Sequence, residues 1–144
     1  MQIEIAAQVT DEIVEAFNRL IPQLSSSAAI PTLTELEELV TSPCNSVILV
    51  RHEDFENRIM GTLTLVTFRI PTGIRSWIED VVVDEAARGK GLGKALTLAA
   101  LEQARSLGAR TVDLTSRPSC EAANKLYQSV GFVLRNSNLY RFTL

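Results

Sequence analysis

The chain has 144 residues, 46% hydrophobic and 22% charged, with a formal net charge of −3. That length suits one domain, 1–144, around a single core, and the ordinary glycine and proline content excludes a fibrous or disordered chain. The charge argues against a nucleic-acid partner. No apolar run approaches the roughly 20 residues of a membrane span, and Met1–Ile5 lacks the basic and apolar segments of a leader, so a cytoplasmic protein is expected.

Residues 2–9 alternate Ile3, Ile5, Ala7 and Val9, which predicts a strand. Thr10 offers a helix cap with Asp11 and Glu12 in the first turn, where the helix dipole favours acids. Ile13, Phe17, Leu20, Ile21 and Leu24 follow at helical spacing, with Pro22 expected to kink or end the helix. After a loop from Ser25 to Pro31, a second helix is predicted, with Thr32…Glu35 and Thr34…Glu37 both fitting a capping box. Three strands are expected near 46–52, 59–69 and 74–83, and their short connections favour an antiparallel meander. His52 reads as a strand-end residue.

From Gly91 the period turns helical through Leu92, Leu96, Ala99, Ala100, Ala104 and Leu107, and Gly108 stops it. Thr111–Thr115 reads as a strand. Ser119 can cap a helix running to Val130, with Gly131 after it and Cys120 as a small buried residue early in the helix. Strands near 132–135 and 138–143 complete a hairpin turned at Asn136-Ser137. The order β-α-α-β-β-β-α-β-α-β-β predicts a mixed α/β fold, a mostly antiparallel central sheet flanked by helices. With Cys44, Cys120 and His52 scattered, the ligands for a metal site are too few.

The informative stretch is Glu79-Asp80-Val81-Val82-Val83-Asp84, followed by Glu85-Ala86-Ala87-Arg88-Gly89-Lys90-Gly91-Leu92-Gly93-Lys94. A strand runs into a turn with glycines at 89, 91 and 93, and a helix begins within it. Backbone without side-chain bulk can approach a ligand closely, and free N–H groups at a helix start bind phosphate. The glycines alternate, which excludes the dinucleotide fingerprint Gly-x-Gly-x-x-Gly. Gly93-Lys94-Ala95 lacks the hydroxyl that a triphosphate loop offers to magnesium.

Arg88, Gly91 and Gly93 resemble the coenzyme A loop of the GNAT acetyltransferase superfamily, Arg/Gln-x-x-Gly-x-Gly/Ala. The later run Asn124…Tyr127…Gly131-Phe132 looks like that family's second motif. The resemblance implies that acetyl-coenzyme A is the co-substrate, with no metal. It implies that Val81, Val82 and Val83 offer backbone to the pantetheine arm. Arg88, Gly89, Lys90, Gly91, Leu92, Gly93 and Lys94 would then hold the pyrophosphate, with Asn124 on the coenzyme arm. Tyr127, three residues on and on the same helical face, is then expected as general acid toward the thiolate. Glu79 is expected as the base. Asp80 lies next to it, and a bulge would upset the alternation that separates the two.

These features imply direct acetyl transfer to a primary amine in a ternary complex, with a small molecule favoured as acceptor. A protein or peptide acetyltransferase and a non-catalytic acyl-coenzyme A sensor are the alternatives. Trp77-Ile78-Glu79-Asp80-Val81 also looks like the corresponding strand of glucosamine-6-phosphate acetyltransferases. The last strand, Leu139–Leu144, is an edge through which a homodimer could form.

Overall fold

Alternating apolar runs produce one sheet of five strands in chain order: β1 (Gln2–Ile5), β2 (Asn45–Arg51), β3 (Ile59–Ile70), β4 (Gly73–Val83) and β5 (Thr111–Asp113). The computed structural model describes residues 1–144. Strands β1 to β4 pair antiparallel, and β5 joins β4 in parallel. The helices are α1 (Asp11–Leu24), α2 (Leu33–Thr41), α3 (Leu92–Ser106) and α4 (Glu121–Ser129). None is long and apolar enough to cross a membrane.

Strand alternation gives the sheet two apolar faces, each with its own core. Ile48, Val50, Leu63, Leu65 and Ile78 pack with Leu92, Leu96, Ala100 and Ala104 of α3. On the opposite face Val47, Leu49, Ile59 and Val82 pack with Ile13, Phe17 and Leu20 of α1 and Leu36 and Val40 of α2.

Several expectations are corrected. β1 stops at Ile5, because the chain makes one further bond to β2 (Ala6 N–H to the Val47 carbonyl, 2.9 Å) and then leaves for the Thr10 cap. Pro22 lies inside α1, which continues to Leu24; so near the end its missing N–H removes a single helical bond. Of the two capping boxes, Thr32…Glu35 forms. Cys120 is exposed and stands at the N-cap of α4, without a side-chain cap from it or from Ser119.

The terminal hairpin is the largest difference: residues 132–144 form no strand, leaving Val133, Leu134, Leu139, Tyr140, Phe142 and Leu144 exposed. An isolated hairpin is marginal in water. The strand it would join, β5, has only three residues and offers a short ladder.

Candidate active site

The site begins where β4 loses its regular register. Thr64 of β3 stands opposite Glu79, yet Thr62 stands opposite Val82, so three steps on β4 meet two on β3. Asp80 is the extra residue, with φ at +50°, a left-handed conformation that aspartate tolerates better than most. Ile78 therefore packs on the α3 face, whereas Val82 packs on the α1/α2 face. Directly paired residues share a face, so Glu79 and Thr64 lie on the α1/α2 side with Thr62 and Val82. Glu79 and Asp80 are both exposed, so the bulge upsets the simple alternation, and it is Glu79 that stands in register on the α1/α2 face.

Beside the bulge Thr62 is 2% exposed and its hydroxyl is the buried side-chain polar atom with no hydrogen-bond partner. An unpaired buried hydroxyl costs roughly 1–3 kcal/mol. Thr62→Val keeps the shape and removes that cost, so the variant is expected to gain about 1 kcal/mol in chemical denaturation. A loss of stability would mean that the hydroxyl is bonded.

β5 accompanies β4 only from Arg75 to Trp77 and ends at Asp113, whereas β4 runs on to Val83. Past Trp77 the side of β4 turned away from β3 therefore has no strand partner. Val81 and Val83 turn their side chains to the α3 core and Val82 to the other. The result is a break in the sheet beside β4 that leaves its backbone edge unpaired, the kind of edge that can pair with a chain of amides.

At the end of β4 a short 3-10 turn, Glu85–Ala87, leads into the glycine loop. The N–H groups of Gly89, Lys90, Gly91, Leu92, Gly93 and Lys94 have no backbone acceptor; the first bond back to the loop is Ala95 N–H to the Gly91 carbonyl, 3.0 Å. Six successive free amides at a helix start are an arrangement that can cradle an anion. Gly89 and Gly91 have φ of +79° and +80°, and nothing lies within 4 Å of where a Cβ would stand. Gly93 has ordinary backbone, and its Cβ would meet Leu126 Cδ2 at 3.4 Å. Gly91→Ala is thus expected to lose about 1–2 kcal/mol through left-handed strain. Gly93→Ala should melt at the wild-type temperature or above it, since alanine suits a helix better than glycine. Equal melting temperatures for the two variants would contradict this.

The basic residues of the loop divide. Arg88 and Lys94 are exposed and join no ion pair, whereas Lys90 Nζ is 2.6 Å from Asp54 Oδ2 and lies over the Phe55 ring. Lys90, expected among the residues that hold the pyrophosphate, pairs its ammonium with Asp54 and so ties the loop to the β2–β3 connection. His52, at the start of that connection, accepts the Asp54 N–H on Nδ1 at 3.1 Å, as suits a strand-end residue.

Leu126 of α4 packs over Gly93 beside Val83, which brings loop, strand end and α4 together. Tyr127 is the next residue, half-buried, its ring edge-on to Phe132 at 5.8 Å. Burial pushes its hydroxyl above the ordinary value of 10.0, with a smaller push from the nearby Cys120. Asn124 Nδ2 donates to the Arg117 carbonyl at 2.9 Å, so this side chain fastens the loop that precedes α4. Sequence reading missed Arg19 of α1, which reaches across to Asp84 at the end of β4. Nothing local marks such a pair, which closes over 65 residues of chain.

An unpaired edge of β4, a run of free loop amides at its end and a tyrosine-bearing helix alongside lie together at this end of the sheet. Residues 10–132 match the acetyltransferase (GNAT) family. Glucosamine 6-phosphate N-acetyltransferase 1 of Oryza sativa subsp. japonica is 32% identical over 87% of this chain and 78% of its own. Glucosamine 6-phosphate N-acetyltransferase of Trypanosoma brucei brucei is 31% identical over 84% and 91%. The crystal structure of glucosamine-6-phosphate N-acetyltransferase from Arabidopsis thaliana shares the fold, with a TM-score of 0.79 over 99% of both chains at 21% identity. The chain belongs to the GNAT acetyltransferase family and is an N-acetyltransferase, in a family that generally takes acetyl-coenzyme A as co-substrate.

Proposed function

We propose that the protein transfers an acetyl group from acetyl-coenzyme A to the primary amine of a small polar molecule, by direct attack with both substrates bound. The observation that carries the reading is the cradle of six free amides at the mouth of the β4–β5 gap. A pyrophosphate fits the cradle and a pantetheine arm, a row of amides, fits the unpaired edge of Val81–Val83. Arg88 and Lys94 add charge there. Asn124, its amide nitrogen already bonded, contributes by holding the loop against the coenzyme arm.

Acetyl-coenzyme A supplies an activated acetyl thioester. On the protein's side, Glu79 takes the proton that the acceptor amine must lose, directly or through water. A backbone N–H near Val81 meets the developing oxyanion, and Tyr127 gives a proton to the departing thiolate. Holding the two substrates together supplies much of the remaining acceleration. Glu79→Gln is expected to lower kcat about a hundredfold. A variant with the wild-type kcat removes Glu79 from this role.

Among small amines, amino sugars stand first because the two relatives described above are named for glucosamine 6-phosphate and match most of the chain. The test is free-thiol release from acetyl-coenzyme A with amino sugars and their phosphates, polyamines, amino acids and peptides. Turnover confined to peptides would overturn the small-molecule reading. The homodimer belongs to the same proposal, supported by the six large apolar side chains exposed within residues 133–144. A light-scattering mass of one chain at working concentration would exclude it.

A further inference from the structure

The glycine loop cannot orient itself. Its six amides have no internal acceptors, so their directions are set by what holds the two ends. One end is α3, seated in the core by Leu92 and Leu96. The other is the turn Glu85–Ala87, held by the core and by a network of polar contacts. Ala87 is fully buried against the α3-face core. Asp84, 6% exposed, accepts the Ala86 N–H on Oδ1 at 3.0 Å and pairs through Oδ2 with Arg19 Nη1. Arg19 Nη2 also donates to the Ile59 carbonyl at 2.7 Å, which pins the guanidinium to β3. One helical turn on, Gln23 accepts the Glu85 N–H at 2.8 Å and donates to the Arg19 carbonyl at 3.2 Å.

The turn that aims the cradle is thus bolted to α1, a helix that contributes no residue to the loop. We propose that Arg19 is a positioning residue for coenzyme A, acting through Asp84 to set the direction of the loop amides. The proposal rests on the reading of residues 88–94 as the coenzyme-binding loop. Arg19 is suited to this because its planar fork serves Asp84 and the Ile59 carbonyl together, fixing strand end and helix in one geometry. Burial alone would raise the Asp84 carboxyl, but the Ala86 N–H and the Arg19 guanidinium outweigh it and hold it below the usual carboxylate value. Asp84 is therefore charged at neutral pH, and loss of Arg19 leaves a buried carboxylate that must move or find water. Either response turns the 85–87 turn and the amides beyond it.

Binding of coenzyme A by calorimetry, at a temperature where circular dichroism shows each variant folded, tests this directly. Arg19→Met, which keeps the stem and removes the fork, is expected to raise Kd about tenfold, as suits one lost charge-assisted hydrogen bond. Arg19→Lys should recover part of the affinity. In steady state the KM for acetyl-coenzyme A rises while kcat at saturation holds. Arg19→Met combined with Asp84→Asn should weaken binding no more than the more severe single change, because both act through one pair. Gln23→Ala, a gentler removal of the Glu85 contact, should raise Kd about threefold and serves if Arg19→Met does not fold.

A purely structural Arg19 predicts a lower Tm with an unchanged Kd in the folded protein, and that result overturns the proposal. Arg88→Ala separates the two readings. If it weakens binding while Arg19→Met and Gln23→Ala do not, the positioning role alone fails. If Arg88→Ala and Gly91→Ala also leave Kd unchanged, the loop assignment fails and this proposal with it.

Discussion

Tyr127→Phe is expected to cut kcat about a hundredfold while leaving the KM for acetyl-coenzyme A within about twofold, the pattern of a lost general acid. The substitution is well isolated. Phenylalanine keeps the edge-on packing against Phe132 at 5.8 Å, and the hydroxyl makes no hydrogen bond with the protein whose loss could disturb the fold. What goes is a proton. Burial holds the Tyr127 pKa above 10.0, so the hydroxyl is fully protonated at neutral pH and its charge state gives the rate no alkaline limb below that value. In the proposed step the thiolate takes the phenolic proton as the carbon–sulfur bond breaks, and water returns one to the phenolate. A tyrosine that merely anchors α4 predicts no change in turnover, because the anchoring ring is still present. Full activity in Tyr127→Phe would therefore end the assignment.

The parts of this site that were legible in the sequence are those fixed by local backbone chemistry. Gly89 and Gly91 take left-handed conformations that other residues resist, so their pattern announces the loop before any tertiary contact is known. Gly108 and Gly131, with φ of +79° and +104°, end α3 and α4 for the same reason. The Thr32…Glu35 box fixes the start of α2 through two reciprocal hydrogen bonds over three residues. By contrast, what depends on distant partners was hidden. A bulge beside Glu79 is anticipated from the sequence only as a way the alternation could fail; its place at Asp80 depends on the register change between Thr62 and Thr64 of β3, which no residue of β4 states alone. Lys90 looks like loop charge in sequence and is spent on Asp54, 36 residues away. Arg19 and Asp84 meet only once both faces of the sheet are packed. The last segment departs from its pattern for a related reason: its alternation suits strands, but strand formation needs a ladder, and β5 supplies three residues of one.

Gly61→Val is expected to be the most damaging single change for the fold, at about 3 kcal/mol or more. Gly61 lies on β3 between Val50 and Val83, on the face that α3 covers. A Cβ at this position would stand 2.9 Å from the Val82 carbonyl oxygen, 3.0 Å from Val50 Cγ1 and 3.3 Å from Leu96 Cδ1. The carbonyl is the decisive contact. It belongs to β4, where the ladder to β3 fixes it, so it cannot retreat without opening the strand pair. Leu96 is fully buried between α3 and the sheet, so relief on that side means lifting α3 from the sheet. In a domain with about 5–15 kcal/mol of total stability, such a loss lowers the melting temperature by about 10 °C. The same displacement reaches the proposed coenzyme loop, because the first turn of α3 carries the free amides of Leu92, Gly93 and Lys94. Gly61→Ala, which adds only the Cβ, should fold with a smaller loss and bind coenzyme A more weakly than wild type. Wild-type melting in Gly61→Val would show that α3 stands farther from the sheet than these contacts require, and the loop geometry built on its position would fall with it.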